Sequence, residues 1–363
     1  MINDQSQCSS DTDVVVESKI PLEAENTTQD YYDYYFDYEY IDACSQDFVK
    51  FGSIFIPLFF IIVVLLSLVG NTLLLVVIGM YESLKSLTNI FIVNLAVSDL
   101  IFTLGLPIWA CYHIWGWMLG ELMCKGLNFI FYTAYYSSIG FLMLMTIQRY
   151  VGVAHPRYEW SRWQKIVFPI LVWLFSFSAA LPELFYRTIS YPYNDRKLYC
   201  QYESNHALVF VSYERNILFV VAFLVIGFCY SRILWMITKS PKRRQKTIKI
   251  IICIVLVFFV LWAPYNIVIF LQTLEFHHLD YSEQCTISNH IGYAYYVCKI
   301  IAFSHCCINP VLYVFIGVKF RNHLRTLHQK ILRKIHPGAP GENPRRHEET
   351  TPNSSQTVTQ NVI

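Results

Sequence analysis

Few residues in this chain could do chemistry, and most of them lie in apolar surroundings. Asp99 stands inside the run "NLAVSDLIF", and an ionisable group in hydrocarbon is costly enough that a function is the first hypothesis. Asn71, Ser138 and Asn309 are polar residues in other apolar runs. If they converge on Asp99, they form either a small-cation or water site, with a bound sodium ion as the candidate, or a purely structural hydrogen-bond network. Lys299 is a second charge in an apolar run; it either awaits an anionic or hydrogen-bonding ligand group or pairs with Glu275 or Glu183. Arg149 ends another run in "MTIQRYVGVAHP", where a snorkelling arginine is the ordinary reading.

A different chemistry is written near the start. "QDYYDYYFDYEY" carries Tyr31, Tyr32, Tyr34, Tyr35, Tyr38 and Tyr40 among Asp30, Asp33, Asp37 and Glu39. Its acids and aromatics follow neither a period of two nor one of 3.6, so no buried face emerges. Residues 1–47 hold twelve Asp or Glu against Lys19 alone, a net charge of −11. A flexible arm of this kind attracts a basic partner, because opposite potentials speed encounter.

Other chemistries find no residues. The chain lacks GxSxG, HExxH, P-loop and GxGxxG patterns in a suitable context, and His305 beside Cys306 and Cys307 lacks metal-ligand spacing. No enzyme, metal centre or organic cofactor is expected. Nucleic-acid binding needs a concentrated basic face, and the basic residues form only short clusters beside apolar runs. A solute transporter would favour internal repeats, and the two halves show no self-similarity.

The elements that must position these residues are helices in lipid. Apolar residues make up 55% of the 363 positions and charged ones 15%, against roughly 45–50% and 25% in soluble domains. Seven runs reach the roughly 20 residues that cross a hydrocarbon core: Val49–Met80, Leu87–Tyr112, Leu122–Val153, Ile166–Tyr186, Ala207–Thr238, Thr247–Leu274 and Ser288–Ile316. Backbone groups in lipid must be satisfied internally, so the fold class is all-α, a seven-transmembrane helix bundle. Residues 1–47 form the arm, 48–317 the bundle, 318–335 a juxtamembrane helix and 336–363 a polar, disordered tail.

Orientation follows from Lys and Arg. "KSPKRRQKTIK" (239–249) and the segment with Lys319, Arg321, Arg325, Lys330, Arg333 and Lys334 are expected on the cytoplasmic side. Seven crossings then place the acidic arm outside. Residues 1–47 lack the basic and apolar regions of a cleavable signal, so the first span is expected to act as the targeting signal. The sequon Asn26-Thr27-Thr28 fits an exterior glycosylation site. Cys44, Cys124, Cys200 and Cys285 face the exterior in this topology, and four cysteines permit three pairings. Prolines 107, 264 and 310 fall inside spans, where each frees a carbonyl and allows a kink.

"GNTLLLVV", "NLAVSDL", Arg149-Tyr150, "LWAPYN" and "NPVLY" occur in an order and spacing that resembles the class A G protein-coupled receptors across residues 48–332. The Tyr-rich arm and the exterior cysteines resemble the chemokine receptors within that class. "YESLKSLTNIFI", "WGWMLGELMCK" and "AFSHCCINPVLYVFIGVKFR" are similar to the branch that binds lymphotactin, the C-class chemokine. That branch is also cationic where this chain has Lys299, and Ala222 stands where the family usually has proline.

The resemblance implies bonds between Cys124 and Cys200 and between Cys44 and Cys285, and sulfated arm tyrosines. It implies a pocket for the ligand's amino terminus lined by Trp109, Phe131, Tyr135, Tyr265 and Lys299. It assigns activation and G-protein coupling to Arg149, Tyr150, Tyr230, Trp262, Pro264, Asn309, Pro310 and Tyr313, and the sodium or water site to Asp99, Asn71, Ser138 and Asn309. The expected partners are a basic chemokine, an inhibitory-class heterotrimeric G protein, receptor kinases, arrestin and membrane lipid, at the plasma membrane. Calcium mobilisation and chemotaxis are the implied output. Thr350, Thr351, Ser354, Ser355, Thr357 and Thr359 are the candidate phosphorylation sites. One departure matters: the family's Asp-Arg-Tyr is Gln148-Arg149-Tyr150 here, which removes a carboxylate from beside Arg149 and opens a second reading, a scavenging receptor without G-protein coupling.

In "VKFRNHLRTLHQKILRKI", Phe320, Leu324, Leu327 and Ile331 have the spacing of an amphipathic helix lying on the membrane. No cysteine follows Cys307, so no palmitoyl group is expected to anchor it.

Overall fold

The computed structural model describes residues 46–191, 197–238, 245–278, 284–316 and 318–335. The tyrosine-rich arm, Asn26, Cys44 and the tail sites from Thr350 to Thr359 lie outside them, as do the side chains of Cys285, Glu275 and Tyr313.

Helices α1 (Gln46–Tyr81), α2 (Leu87–Trp115), α3 (Gly120–Ala154), α4 (Arg162–Phe185), α5 (Asn205–Thr238), α6 (Gln245–His278), α7 (Gln284–Phe303) and α8 (His305–Ile316) form a bundle, followed by α9 (Val318–Ile335). Seven segments are long and apolar enough to cross a membrane, the seventh being His290–Val311, shared by α7 and α8. Several helices run a turn or more past the expected spans, because polar residues at their ends continue the helix beyond the apolar stretch. Leu, Ile and Phe side chains along α1, α4 and α5 are exposed, as lipid-facing positions require.

Helix α3 is the axis of the bundle: 72% of its most apolar window is buried, against 17% for α4. Small residues allow this. A Cβ on Gly140 would lie 2.7 Å from Val172 Cγ1 of α4, so the glycine sets how closely the two helices approach. Helix α4 starts at a reciprocal cap, Ser161 Oγ accepting from Gln164 N and Gln164 Oε1 from Ser161 N, which satisfies two donors at that end.

One expectation needs correction. The seventh span was read as a single helix over 288–316, but it breaks at Ser304 between α7 and α8. Ser304 Oγ donates to Ile301 O (2.6 Å), and Cys307 N donates to Ser304 O (3.1 Å), a tightened turn superimposed on the ladder bonds Ser304 N to Ile300 O and Ile308 N to Ser304 O. Pro310 has no N–H to offer the Cys306 carbonyl one turn back. Two donors from α1 take that carbonyl instead, Asn71 Nδ2 at 2.8 Å and Ser67 Oγ at 3.3 Å. Gly70 makes the approach possible, since a Cβ there would lie 2.6 Å from Pro310 Cγ.

At one end of the bundle β1 (Arg187–Ser190) pairs antiparallel with β2 (Tyr199–Tyr202). Cys124 at the start of α3 is bonded to Cys200 of β2, so the hairpin is tied over the bundle mouth. At the other end α9 docks on α1: the His323 ring stacks on Tyr81 at 5.1 Å, and His323 Nε2 lies 3.2 Å from Glu82 Oε1.

Candidate functional site

Three clusters lie along one path through the bundle. The first, at the hairpin end, contains the residues expected to line a pocket. Lys299 of α7 is 3% exposed. Its ammonium lies 4.4 Å from the Trp109 ring centroid, 5.5 Å from Tyr295, 5.7 Å from Phe303 and 3.4 Å from His113 Nε2. Aromatic faces stabilise such a cation by about 0.5–2 kcal/mol each. Phe131 joins the same group, 6.0 Å from Trp109 and 5.0 Å from Phe303. Tyr135 and Tyr265 flank Trp262 at 4.2 and 5.7 Å, and Tyr265 meets Tyr295 at 5.7 Å. The five expected lining residues therefore share one aromatic wall.

Glu183, one alternative partner for Lys299, is committed elsewhere. Its carboxylate accepts from Arg187 Nε at 2.7 Å, Tyr202 Oη at 2.8 Å and Arg215 Nη2 at 3.3 Å. The arginines stack over Tyr202 and Tyr132 at 3.9 and 4.1 Å. This buried network clamps α4, the hairpin and α5 to one another. Burial is the largest influence on Arg187 and opposes its charge, but the Glu183 carboxylate together with Tyr202 and Tyr132 raises the guanidinium pKa; burial pushes the Tyr202 hydroxyl well above the ordinary tyrosine value. Arg187 and Glu183 are four residues apart, a spacing that could have been read from the sequence. Arg215 joins from α5 and gives no such signal.

The second cluster sits in mid-bundle. Asp99 is fully buried; Asn309 Nδ2 donates to its Oδ2 at 2.8 Å, and its Oδ1 faces His305 Nε2 at 3.7 Å. Asn71 and Ser138 are also fully buried. Asn71 Oδ1, Asp99 Oδ1 and Ser138 Oγ are buried oxygens with no hydrogen-bond partner among the described residues. Oxygen donors of this kind fit a hard cation. His305 had been set aside for want of metal-ligand spacing, yet it packs against Trp262 at 5.1 Å and Phe258 at 5.6 Å. It thus joins Asp99 to the floor of the aromatic wall.

The third cluster, at the α9 end, holds Arg149. Gln148 Nε2 donates to Thr88 Oγ1 at 3.0 Å, Arg149 Nη2 donates to the same oxygen at 3.2 Å, and the Thr88 hydroxyl lies 3.2 Å from Gln148 Oε1. One proton and two lone pairs of the hydroxyl are all engaged. A neutral amide and a hydroxyl therefore stand where a carboxylate was expected by family pattern. Thr146 Oγ1 lies 3.3 Å from Tyr230 Oη, and Tyr150 packs on Phe228 at 6.2 Å. Thr88 was not identified from the sequence, because a threonine at a helix start is ordinary. Pro264 lies within α6, two residues after Trp262 and six after Phe258.

Taken together, a buried aromatic wall around Lys299, a polar mid-bundle node and the hydrogen bonds of Arg149 and Gln148 on Thr88 follow one path through the bundle. The model of the 7 transmembrane receptor (rhodopsin family) matches residues 70–313. The chain is 41% identical over 307 residues to "Chemokine XC receptor 1" of Homo sapiens, covering 83% of this chain and 88% of that one. The Mus musculus protein of the same name is 38% identical over 303 residues, covering 81% and 90%. "C-C chemokine receptor type 1" of Homo sapiens is 33% identical over 324 residues, covering 85% and 90%. This multi-pass membrane protein, a receptor and not an enzyme, belongs to the rhodopsin-family seven-transmembrane receptors and, within them, to the chemokine receptors.

Proposed function

We propose that the chain binds a basic, lymphotactin-type chemokine at the plasma membrane and activates an inhibitory-class G protein, leading to calcium mobilisation and chemotaxis. The observation that carries this reading is the buried Lys299 on its aromatic wall, within a chain similar along most of its length to a relative named for XC chemokines. The acidic arm lies outside the cell and attracts the folded chemokine; sulfation of its tyrosines adds charge and acceptors. Glycosylation at Asn26 and a Cys44–Cys285 bond belong to the same exterior face. The ligand's amino terminus then enters between Trp109, Phe131, Tyr135, Tyr265 and Lys299.

Activation is a shift between two arrangements of the bundle, biased only by the ligand's differential affinity for them. Contacts on Tyr265 and Tyr135 bear directly on Trp262, so α6 moves about Pro264. Arg149 then leaves Thr88, and with Tyr150, Tyr230 and Tyr313 admits the G protein. Asn309 and Pro310 let the seventh span follow. Asp99, Asn71 and Ser138 would hold a sodium ion, with Asn309 orienting Asp99, and its positive charge would favour the resting arrangement. Kinases acting on Thr350, Thr351, Ser354, Ser355, Thr357 and Thr359 prepare arrestin binding, while α9 lies on lipid.

The second reading, scavenging without coupling, is favoured by Gln148, because Arg149 lacks the family's usual carboxylate. One experiment separates the two. In cells expressing the intact chain, inhibition of cyclic AMP and internalisation are measured against a chemokine panel that includes lymphotactin. Inhibition by lymphotactin supports signalling; uptake with no G-protein response supports scavenging.

A further inference from the structure

Among the described residues, three buried cations at the hairpin end, Arg187, Arg215 and Lys299, stand against the carboxylates of Glu183 and Glu214. Arg187 and Arg215 share the single carboxylate of Glu183. Arg215 is 5% exposed, and its Nε has no hydrogen-bond partner among the described residues. Glu214, its neighbour in sequence, forms no ion pair with either arginine among the described residues. Lys299 is equally buried and has no carboxylate within ion-pair distance among them; aromatic rings and His113 surround it. A buried charge without a counter-charge is costly, so a ligand that brings the counter-charge gains most here.

Lys299 and Arg215 stand at the two ends of one buried aromatic wall. From Lys299 the rings run through Tyr295, Tyr265, Trp262, Tyr135 and Tyr132, each within 6.4 Å of the next. The last ring lies under the Arg215 guanidinium at 4.1 Å. Such a wall is apolar along its length and cationic at its ends, the complement of an apolar peptide carrying an anion.

We propose that the pocket reads an acidic side chain in the ligand's entering segment, with Lys299 as the principal contact and Arg215 as a second specificity residue. This rests on the chemokine-receptor reading above. A ligand whose entering segment offers only its terminal amine meets like charge at both ends of the wall and is selected against.

The test uses the intact receptor in cell membranes and lymphotactin whose segment before its first cysteine is replaced. A Glu is moved through that segment, each form having a Gln twin, and chemokine binding and G-protein activation are both measured. At one position Glu is expected to exceed Gln in potency by about tenfold or more. Lys299→Gln should reduce that ratio to within about twofold, and Lys299→Glu should reverse it toward a Lys-bearing segment. Arg215→Lys, which keeps the charge, should retain the preference, while Arg215→Gln should reduce it. Equal potency of every Glu and Gln pair, with binding intact, overturns this proposal alone. A preference that survives Lys299→Gln and Arg215→Gln also overturns it. Absence of binding by every form overturns the chemokine-receptor reading together with it.

Discussion

The two ends of the bundle are held by different physics. At the hairpin end, Glu183, Arg187, Arg215 and Tyr202 form a buried ionic network, and a disulfide pins the hairpin to α3. At the α9 end, Arg149 Nη2 and Gln148 Nε2 both donate to the Thr88 hydroxyl. Buried charges tolerate little displacement, because separating them leaves each without compensation. The two hydrogen bonds on Thr88, one from an amide and one from a guanidinium, are each worth about 1–3 kcal/mol net and exchange for water or another partner. Under the function proposed above, the buried ionic network is the frame, and the hydrogen bonds on Thr88 are the part that rearranges.

The severest way to break the comparison is Glu183→Gln. It strands two buried guanidiniums and is expected to cost about 3–5 kcal/mol, read as a lower melting temperature of the purified receptor and loss of surface expression. Wild-type stability in that variant would show that the ionic frame is not structural. Asn71→Leu should rank next, at about 1–3 kcal/mol, since it leaves the Cys306 carbonyl freed by Pro310 with only Ser67.

A milder change should act at the other end. Thr88→Val removes the oxygen shared by Gln148 and Arg149, and a loss of about 1 kcal/mol from the resting arrangement raises basal nucleotide exchange about fivefold. Gln148→Asp sharpens the comparison in the opposite sense, because a carboxylate beside Arg149 should lower basal exchange. If neither variant moves basal exchange while ligand binding is normal, Thr88 and Gln148 are packing residues only.

The smallest effect concerns pH. Tyr202 is buried neutral and its pKa is raised, so its contribution is present below the unfolded value of about 10 and is lost as pH rises from there through the folded value. The melting temperature should therefore fall above about pH 10, and Tyr202→Phe should flatten that part of the profile. An unchanged alkaline profile in Tyr202→Phe would remove this residue from the frame.

Much of the architecture was legible in the sequence, because lipid leaves few solutions: seven apolar runs of sufficient length had to be helices. The gathering of Asp99 and Asn309, and of Trp109, Phe131 and Lys299, was reached only through motif order, since no periodicity relates residues as far apart as His113 and Lys299. The break at Ser304 was hidden for a different reason. Pro310 announces a freed carbonyl, but whether the helix bends or breaks depends on donors from α1, here Ser67 and Asn71 with Gly70 beside them. Arg215 and Thr88 were missed because each acts through a partner on another helix, and each looks ordinary where it stands.

On the proposed function, a chemokine captured at the hairpin end works the Arg149 and Thr88 contacts at the other end. Lymphotactin-stimulated nucleotide exchange on an inhibitory-class G protein, in membranes containing the intact chain or Arg149→Ala, tests it most directly. Stimulated exchange with the intact chain, abolished in Arg149→Ala at unchanged chemokine affinity, is the result expected. Chemokine binding with no exchange from the intact chain, or undiminished exchange from Arg149→Ala, would contradict it.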